Sequence, residues 1–207
     1  MKKETLDKLD YFKEYYLGKT VIGVIVIALT VFLIFHIVSK KDNVSGVCPV
    51  NLDPVNSEAS EASYFDGFLE QNGYDPHKSS FSVITDIYLS SEMNDDVART
   101  NANLLQTIML TQSADIYLAQ EEIFEIIAAS GYMADVTDIL GNDFEDLDRE
   151  GRIFYYEGVP VGVITGPDNE FINATGWYSQ PVVIGVLDDP KSEELSNAFL
   201  RESVSDR

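Results

Sequence analysis

The chain has 207 residues, 45% of them apolar, with 35 acidic against 14 basic side chains and a net charge of −21. That is enough apolar residue for one ordinary domain plus a further element. It is too acidic for a nucleic-acid binder, which needs basic surface to meet phosphate. The one cysteine, Cys48, excludes an internal disulfide and any multi-cysteine metal site. It reads as a small residue in a strand, with pairing to another chain as the alternative.

The further element comes first. Residues 1–19 contain "ETLDKLDYFKEYY", which can form a short amphipathic helix with Leu6, Leu9, Phe12 and Tyr16 on one side. We read it as a cytoplasmic leader whose aromatics and lysines sit at headgroup level. Residues 20–38, "TVIGVIVIALTVFLIFHIV", hold no Lys, Arg, Asp or Glu. At 1.5 Å per residue such a run spans roughly 28 Å, close to a hydrocarbon core of ~30 Å. It has no polar stripe of the kind a soluble core helix carries. His36 falls near one end, within reach of the interface. The run is too long for a signal-peptide h-region, and no small-x-small cleavage site follows it. "VSGVC" fits a lipoprotein box poorly, because Val47 is bulky. The expectation is an uncleaved anchor, with a lipoprotein as the alternative.

Five lysines (Lys2, Lys3, Lys8, Lys13, Lys19) precede the span and two (Lys40, Lys41) follow it closely. The positive-inside rule puts the N-terminus in the cytoplasm and the rest of the chain outside the cell. The outer part, 39–207, carries 9 basic against 31 acidic residues, a net of −22. Such a surface is solubilising, or suits a partner with a basic face.

Residues 39–46 read as a polar tether and 47–207 as one domain. "VCPVNL" (47–52) reads as a strand that Pro49 pushes toward an edge. "SEASYFDGFLEQNGY" reads as a helix with Tyr64, Phe65 and Phe68 inward and Gly73 as its stop. "FSVITDIYL" (81–89) is rich in strand formers. The next segment opens with acids and sets Val97, Leu104, Leu105, Ile108 and Met109 at helical spacing. "ADIYLA" (114–119) reads as a strand covered on both faces. "QEEIFEIIAASG" follows as a helix. Ile123, Ile126 and Ile127 share a side with Phe124 nearby, Glu121, Glu122 and Glu125 lean outward, the first two in the favourable first turn, and Gly131 is the left-handed stop. "RIFYYEGVPVGVI" (152–164) predicts two strands about a Glu157-Gly158 turn, and 166–180 a loop. "PVVIGVLD" (181–188) predicts a strand. The last helix points Leu195, Ala198 and Phe199 inward and ends in a frayed "SVSDR". Strands alternating with helices argue for an α/β fold with a mainly parallel sheet.

This order, and 114–140 in particular, resembles extracellular solute-binding proteins of the periplasmic binding protein type 2 class. The matching residues are Asp115, Ala119, Glu121, Glu122, Gly131, Tyr132, Asp135, Val136, Thr137 and Leu140. "VVIGVLDDPKSEELSNAFLRE" resembles a late strand and helix of those proteins, and the chain as a whole looks like small single-pass membrane proteins of Gram-positive anaerobes. The resemblance implies one lobe of that type, with a C-terminal hairpin, strand and helix. A two-lobed clamshell needs more than the 169 residues of the outer region. The function implied is a non-catalytic, membrane-anchored extracytoplasmic module. It engages a small ligand or a neighbouring membrane protein, as a transport accessory or sensor. The alternative is a structural partner-binding domain that has lost the cleft.

Chemistry-bearing motifs are sparse. Asp146, Asp148, Glu150, Gly151, Ile153 and Glu157 fall on a calcium-loop template, but position 5 is Glu and the exit reads as a strand pair. We therefore expect a solvated acidic segment and no metal. The histidines are His36 and His77, which gives hydrolytic triads no placed base. No glycine-rich phosphate loop occurs, and no cofactor is expected. A small-molecule pocket, if present, is expected at the strand ends near Thr85, Asp86 and Ala119 and among the aromatics Tyr155, Tyr156, Trp177 and Tyr178. Core and cross-strand packing is the competing reading of those aromatics.

Overall fold

The structure, a computed structural model, describes residues 17–38, 41–52, 58–90, 96–166, 170–178 and 180–204. Most of residues 1–19, read above as a leader, together with residues 53–57, 91–95 and the end of "SVSDR", lie outside the described residues. The chain divides into two compact units, Met1–Lys41 and Asp42–Arg207.

In the first unit, helix α1 runs Leu17–Val38. Its apolar side chains from Val21 to Leu33 are exposed. Among the described residues no helix is long and apolar enough to cross a membrane. Side chains of α1 are described only over 21–33, a shorter run than the ~20 residues a span needs.

The second unit is an α/β domain around one six-stranded mixed sheet in the order β2-β1-β3-β6-β5-β4. The strands are β1 (Asp42–Pro49), β2 (Ser79–Val83), β3 (Ile116–Ala119), β4 (Ile153–Tyr156), β5 (Val159–Thr165) and β6 (Val182–Val186). β1 pairs parallel with both β2 and β3. The parallel pairing expected from strand-helix alternation holds there. Beyond β3 the sheet is antiparallel through β6, β5 and β4. The hairpin accounts for the last of these pairs: β4 and β5 are joined by a two-residue turn and cannot be parallel. Glu157 (φ 48°) and Gly158 (φ 84°) give that turn the paired left-handed conformation that matches strand twist.

Two corrections concern β1. It starts at Asp42, so 42–46 are strand and not tether. Asn43, Ser45 and Gly46 are weak strand formers, but Ser45 is held by a hydrogen bond to Asp115 and Gly46 by close packing. A Cβ on Gly46 would lie 2.1 Å from Ser82 Oγ and 2.9 Å from the Ser113 carbonyl. β1 is also central, not an edge. Pro49 is tolerated because it ends the strand, next to the point where β2 stops at Val83; pairing resumes at the Val50–Ile87 bridge.

Helices cover both faces. One face, with Val47, Ile116, Leu118, Val163, Ile184 and Val186, packs on α2 (Glu58–Gln71), α5 (Thr137–Leu140), α6 (Phe144–Arg149), α7 (Glu170–Thr175) and α8 (Glu193–Val204). The other, with Cys48, Val50, Tyr117, Ala119 and Val183, packs on α3 (Asp96–Leu110) and α4 (Glu121–Ala128). β3 thus buries alternate residues on opposite faces, as a doubly covered strand does. Gly185 and Gly162 let the Phe124 ring lie against the sheet.

Three further expectations change. α7 stands where a loop was expected; its six residues are too few for periodicity to show, and it places Phe171 in the core. α3 is rotated so that Ala98, Leu105, Ile108 and Met109 face in, leaving Val97 and Leu104 exposed. Ser203 and Val204 belong to α8 and are buried, so the tail is not frayed there.

Candidate functional site at the carboxyl ends of the parallel strands

In an open α/β sheet, ligands meet the crevice where neighbouring parallel strands send their connections in opposite directions. Here β1 leads to β2 on one side, while β3 leads away toward β4, β5 and β6. The crevice is therefore at the carboxyl ends of β1 and β3.

Asn51 follows β1 in the left-handed region, φ 55°. Three bonds hold it there. Its N–H donates to the Ile87 carbonyl at 2.9 Å. Its Nδ2 donates to the Leu89 carbonyl and its Oδ1 accepts from the Leu89 N–H, both at 2.7 Å. Asn51 thus fixes the segment after β2. That segment carries Asp86, also left-handed at φ 65° and exposed, whose Oδ2 accepts from Thr85 Oγ1 at 3.3 Å. After β3, Gln120 precedes α4 and makes no side-chain cap bond. Glu121 and Glu122 occupy the first turn of α4, so carboxylates already meet its dipole. An anionic ligand is disfavoured here, and a neutral or cationic group suits Asp86.

The expected pocket residues do not converge. Thr85 and Asp86 stand at this end, next to β2, one edge of the sheet. Tyr155 and Tyr156 are on β4, the opposite edge, beside the hairpin turn and so at the opposite end of the strands. Five strand spacings of ~4.8 Å put the two edges about 24 Å apart. Tyr155 is 46% exposed and its hydroxyl donates to Asp148 at 3.0 Å, while Tyr156 packs against the α3/α4 face. Trp177 and Tyr178 are buried in the other core cluster. Trp177 meets Phe171 edge-on at a centroid distance of 5.1 Å. These two rings fill the interior, as the competing core reading has it.

Sequence reasoning missed Asn51, although an Asn just past a strand is a signal for left-handed backbone. It also missed the role of Asp115. This carboxylate is fully buried at the start of β3. Ser45 Oγ donates to its Oδ2 at 2.7 Å and the Lys191 N–H to its Oδ1 at 2.9 Å. Burial pushes its carboxyl above the usual range, against the opposing pull of those bonds. The Lys191 ammonium also donates to the Asn43 carbonyl. Asp115 therefore ties the segment between β6 and α8 to β1.

The acidic segment after 140 is helix and turn. Asp146 pairs with Arg149 at 2.8 Å, and Glu150 with Arg152 at 3.7 Å. Among the described residues no group of three or more His, Cys, Asp or Glu is placed to hold a metal ion. Cys48 is buried and its thiol is pushed up to about 12 by desolvation. His77 is in a turn, where its N–H donates to Asp75 Oδ1 at 2.9 Å.

No family model, curated protein or solved structure matches the chain. The resemblance of 114–140 to solute-binding proteins rests on its own residues. Within it Asp115 and Ala119 are buried parts of the sheet, and Gly131 (φ 75°) ends the turn after α4.

Proposed function

We propose that this chain is a single-pass membrane protein with its N-terminus in the cytoplasm. It displays one solute-binding-like α/β lobe outside the cell, as a non-catalytic module that engages a small ligand or a neighbouring membrane protein. The carrying observation is the single sheet with helices on both faces, whose parallel strands end at the segments carrying Asn51 and Asp86. Support for the anchor comes from the uncharged run 20–38 falling within one continuous helix, Leu17–Val38. Support for binding without catalysis comes from the thiol held protonated and from Asp115 engaged in the core.

The second reading, a partner-binding domain without a ligand cleft, is favoured by the burial of Trp177 and Tyr178, which removes two of the rings a solute would stack on. A thermal-shift screen of residues 42–207 against peptides, sugars, polyamines and calcium separates the two. A ligand at a hundred times its dissociation constant adds ~2.7 kcal/mol, or about 5–11 °C for a domain of this size. A shift of that size with one solute class supports the first reading, and no shift with any class supports the second. Protease added to intact cells tests the topology. An untouched C-terminal domain, with controls for protease access in order, overturns the outside placement.

A further inference from the structure

Gly67 is a glycine that the fold does not explain. It stands inside α2, where glycine costs helix stability relative to alanine. Its backbone is not left-handed, and a Cβ built on it would meet nothing within 4 Å. At Gly46, Gly162 and Gly185, by contrast, a Cβ would collide with a neighbour. The open space beside Gly67 is a cavity of about 300 Å³ between α2, α7 and α8, at the small end of the range for ligand pockets. Gly67 and Ala174 of α7 are its small residues, and polar groups surround them.

Ser63 and Gln71 lie one turn before and one turn after Gly67, on the same row of α2. Both are exposed, and among the described residues neither side chain makes a hydrogen bond. Across the cavity Glu202 of α8 accepts a bond from the Tyr64 hydroxyl at 2.9 Å. That bond holds the ring and the carboxylate at the wall. Among the described residues no Lys, Arg or His lines the cavity, so nothing there meets a phosphate or carboxylate ligand. Ser63 and Gln71 are separated by two turns, roughly 12 Å along the helix. A single ammonium group cannot reach both, whereas a compact molecule with hydroxyls around its rim can. We infer that this cavity binds a neutral polyol of monosaccharide size. Its body lies over the bare backbone at Gly67, and its hydroxyls meet Ser63, Gln71 and Glu202. No lining residue belongs to the segments carrying Asn51 and Asp86, so the site is separate from the strand ends and goes beyond the reading above.

The test uses the full chain in lauryldimethylamine oxide, a detergent with no sugar headgroup, and reads saturation-transfer difference NMR. The probes, each at millimolar concentration, are glucose, galactose, mannose, ribose, N-acetylglucosamine and myo-inositol, with putrescine and inorganic phosphate as charged controls. The expected result is a signal from at least one polyol and none from either control. Gly67→Leu, which fills the cavity, abolishes the signal. Gly67→Ala keeps the test open should the leucine disturb α2: it raises the melting temperature by about 1–4 °C, because alanine is the better helix former, and still lowers the signal. Gln71→Ala lowers affinity about fivefold, the loss of one hydrogen bond, while the melting temperature holds. Silence from every polyol, a signal from putrescine or phosphate instead, or a polyol signal indifferent to the Gly67 and Gln71 changes would each overturn the proposal. A polyol signal lost in Asp86→Ala but kept in Gly67→Leu overturns this site and supports the strand ends, so the two are told apart.

Discussion

Trp177 decides between a ring kept for a ligand and a ring kept for the core. It is 2% exposed and packed against Phe171, Phe65 and the α2/α8 side of the sheet. Replacing it with Ala removes one of the largest buried side chains and leaves a cavity between α2 and α7. Core Trp-to-Ala changes cost ~3–5 kcal/mol. For a domain of this size each kcal/mol lowers the melting temperature by ~2–4 °C, so the expected fall is about 6–20 °C. Trp177 is the sole tryptophan, so the variant has no indole signal. Urea and thermal unfolding of residues 42–207 should therefore be followed by far-ultraviolet circular dichroism. A loss below ~1 kcal/mol with unchanged denaturant slope would refute the core assignment and return Trp177 to the ligand-stacking set.

The remaining predictions are briefer. Gly185→Ala places a Cβ 2.5 Å from Phe124 Cζ and 2.7 Å from the Val161 carbonyl, and should destabilise by ~1–3 kcal/mol in the same unfolding assay; a neutral effect would mean that Phe124 does not lie on the sheet there. Cys48 in the folded protein should resist Ellman's reagent at pH 8 and react fully once unfolded, because its thiol is buried and pushed up to about 12; fast native labelling would contradict its burial in β1. Asp115 has a carboxyl raised by burial, so the stability it contributes is complete below its unfolded pKa and is lost as pH rises through the higher folded value. Asp115→Asn removes that titration, so the variant should gain on the wild type between pH 3 and pH 7 in urea unfolding; a gap that moves the other way would show that the bonds from Ser45 and Lys191 outweigh burial.

Much of the α/β architecture was legible from periodicity. β3, α4, the hairpin and α8 each follow from a run whose apolar spacing matches its element, and the Glu157-Gly158 turn follows from its residues. The misses have specific causes. The start of β1 is written in Asn, Ser and Gly, and at Gly46 the neighbouring chain approaches too closely for any side chain, so packing outweighed propensity there. α7 is shorter than two helical turns. On α3, apolar spacing fits two overlapping stripes, and the sequence does not say that Ala98 is inside and Leu104 outside. The pocket residues were chosen by chemical type. Type cannot tell an aromatic on an edge strand from one under a helix, nor show that Asp86 and Tyr155 stand at opposite ends of the sheet.

The place of β6 in the sheet has a bearing on how the domain comes into being. β1 and β3 are made early, but β3 pairs with β6, and α8 packs on β5 and β6. Such distant pairing is slow and cannot finish while synthesis is still short of α8. The nascent chain therefore carries an open edge at β3 for much of its translation, and a ribosome stalled before β6 would release a protein in need of a chaperone.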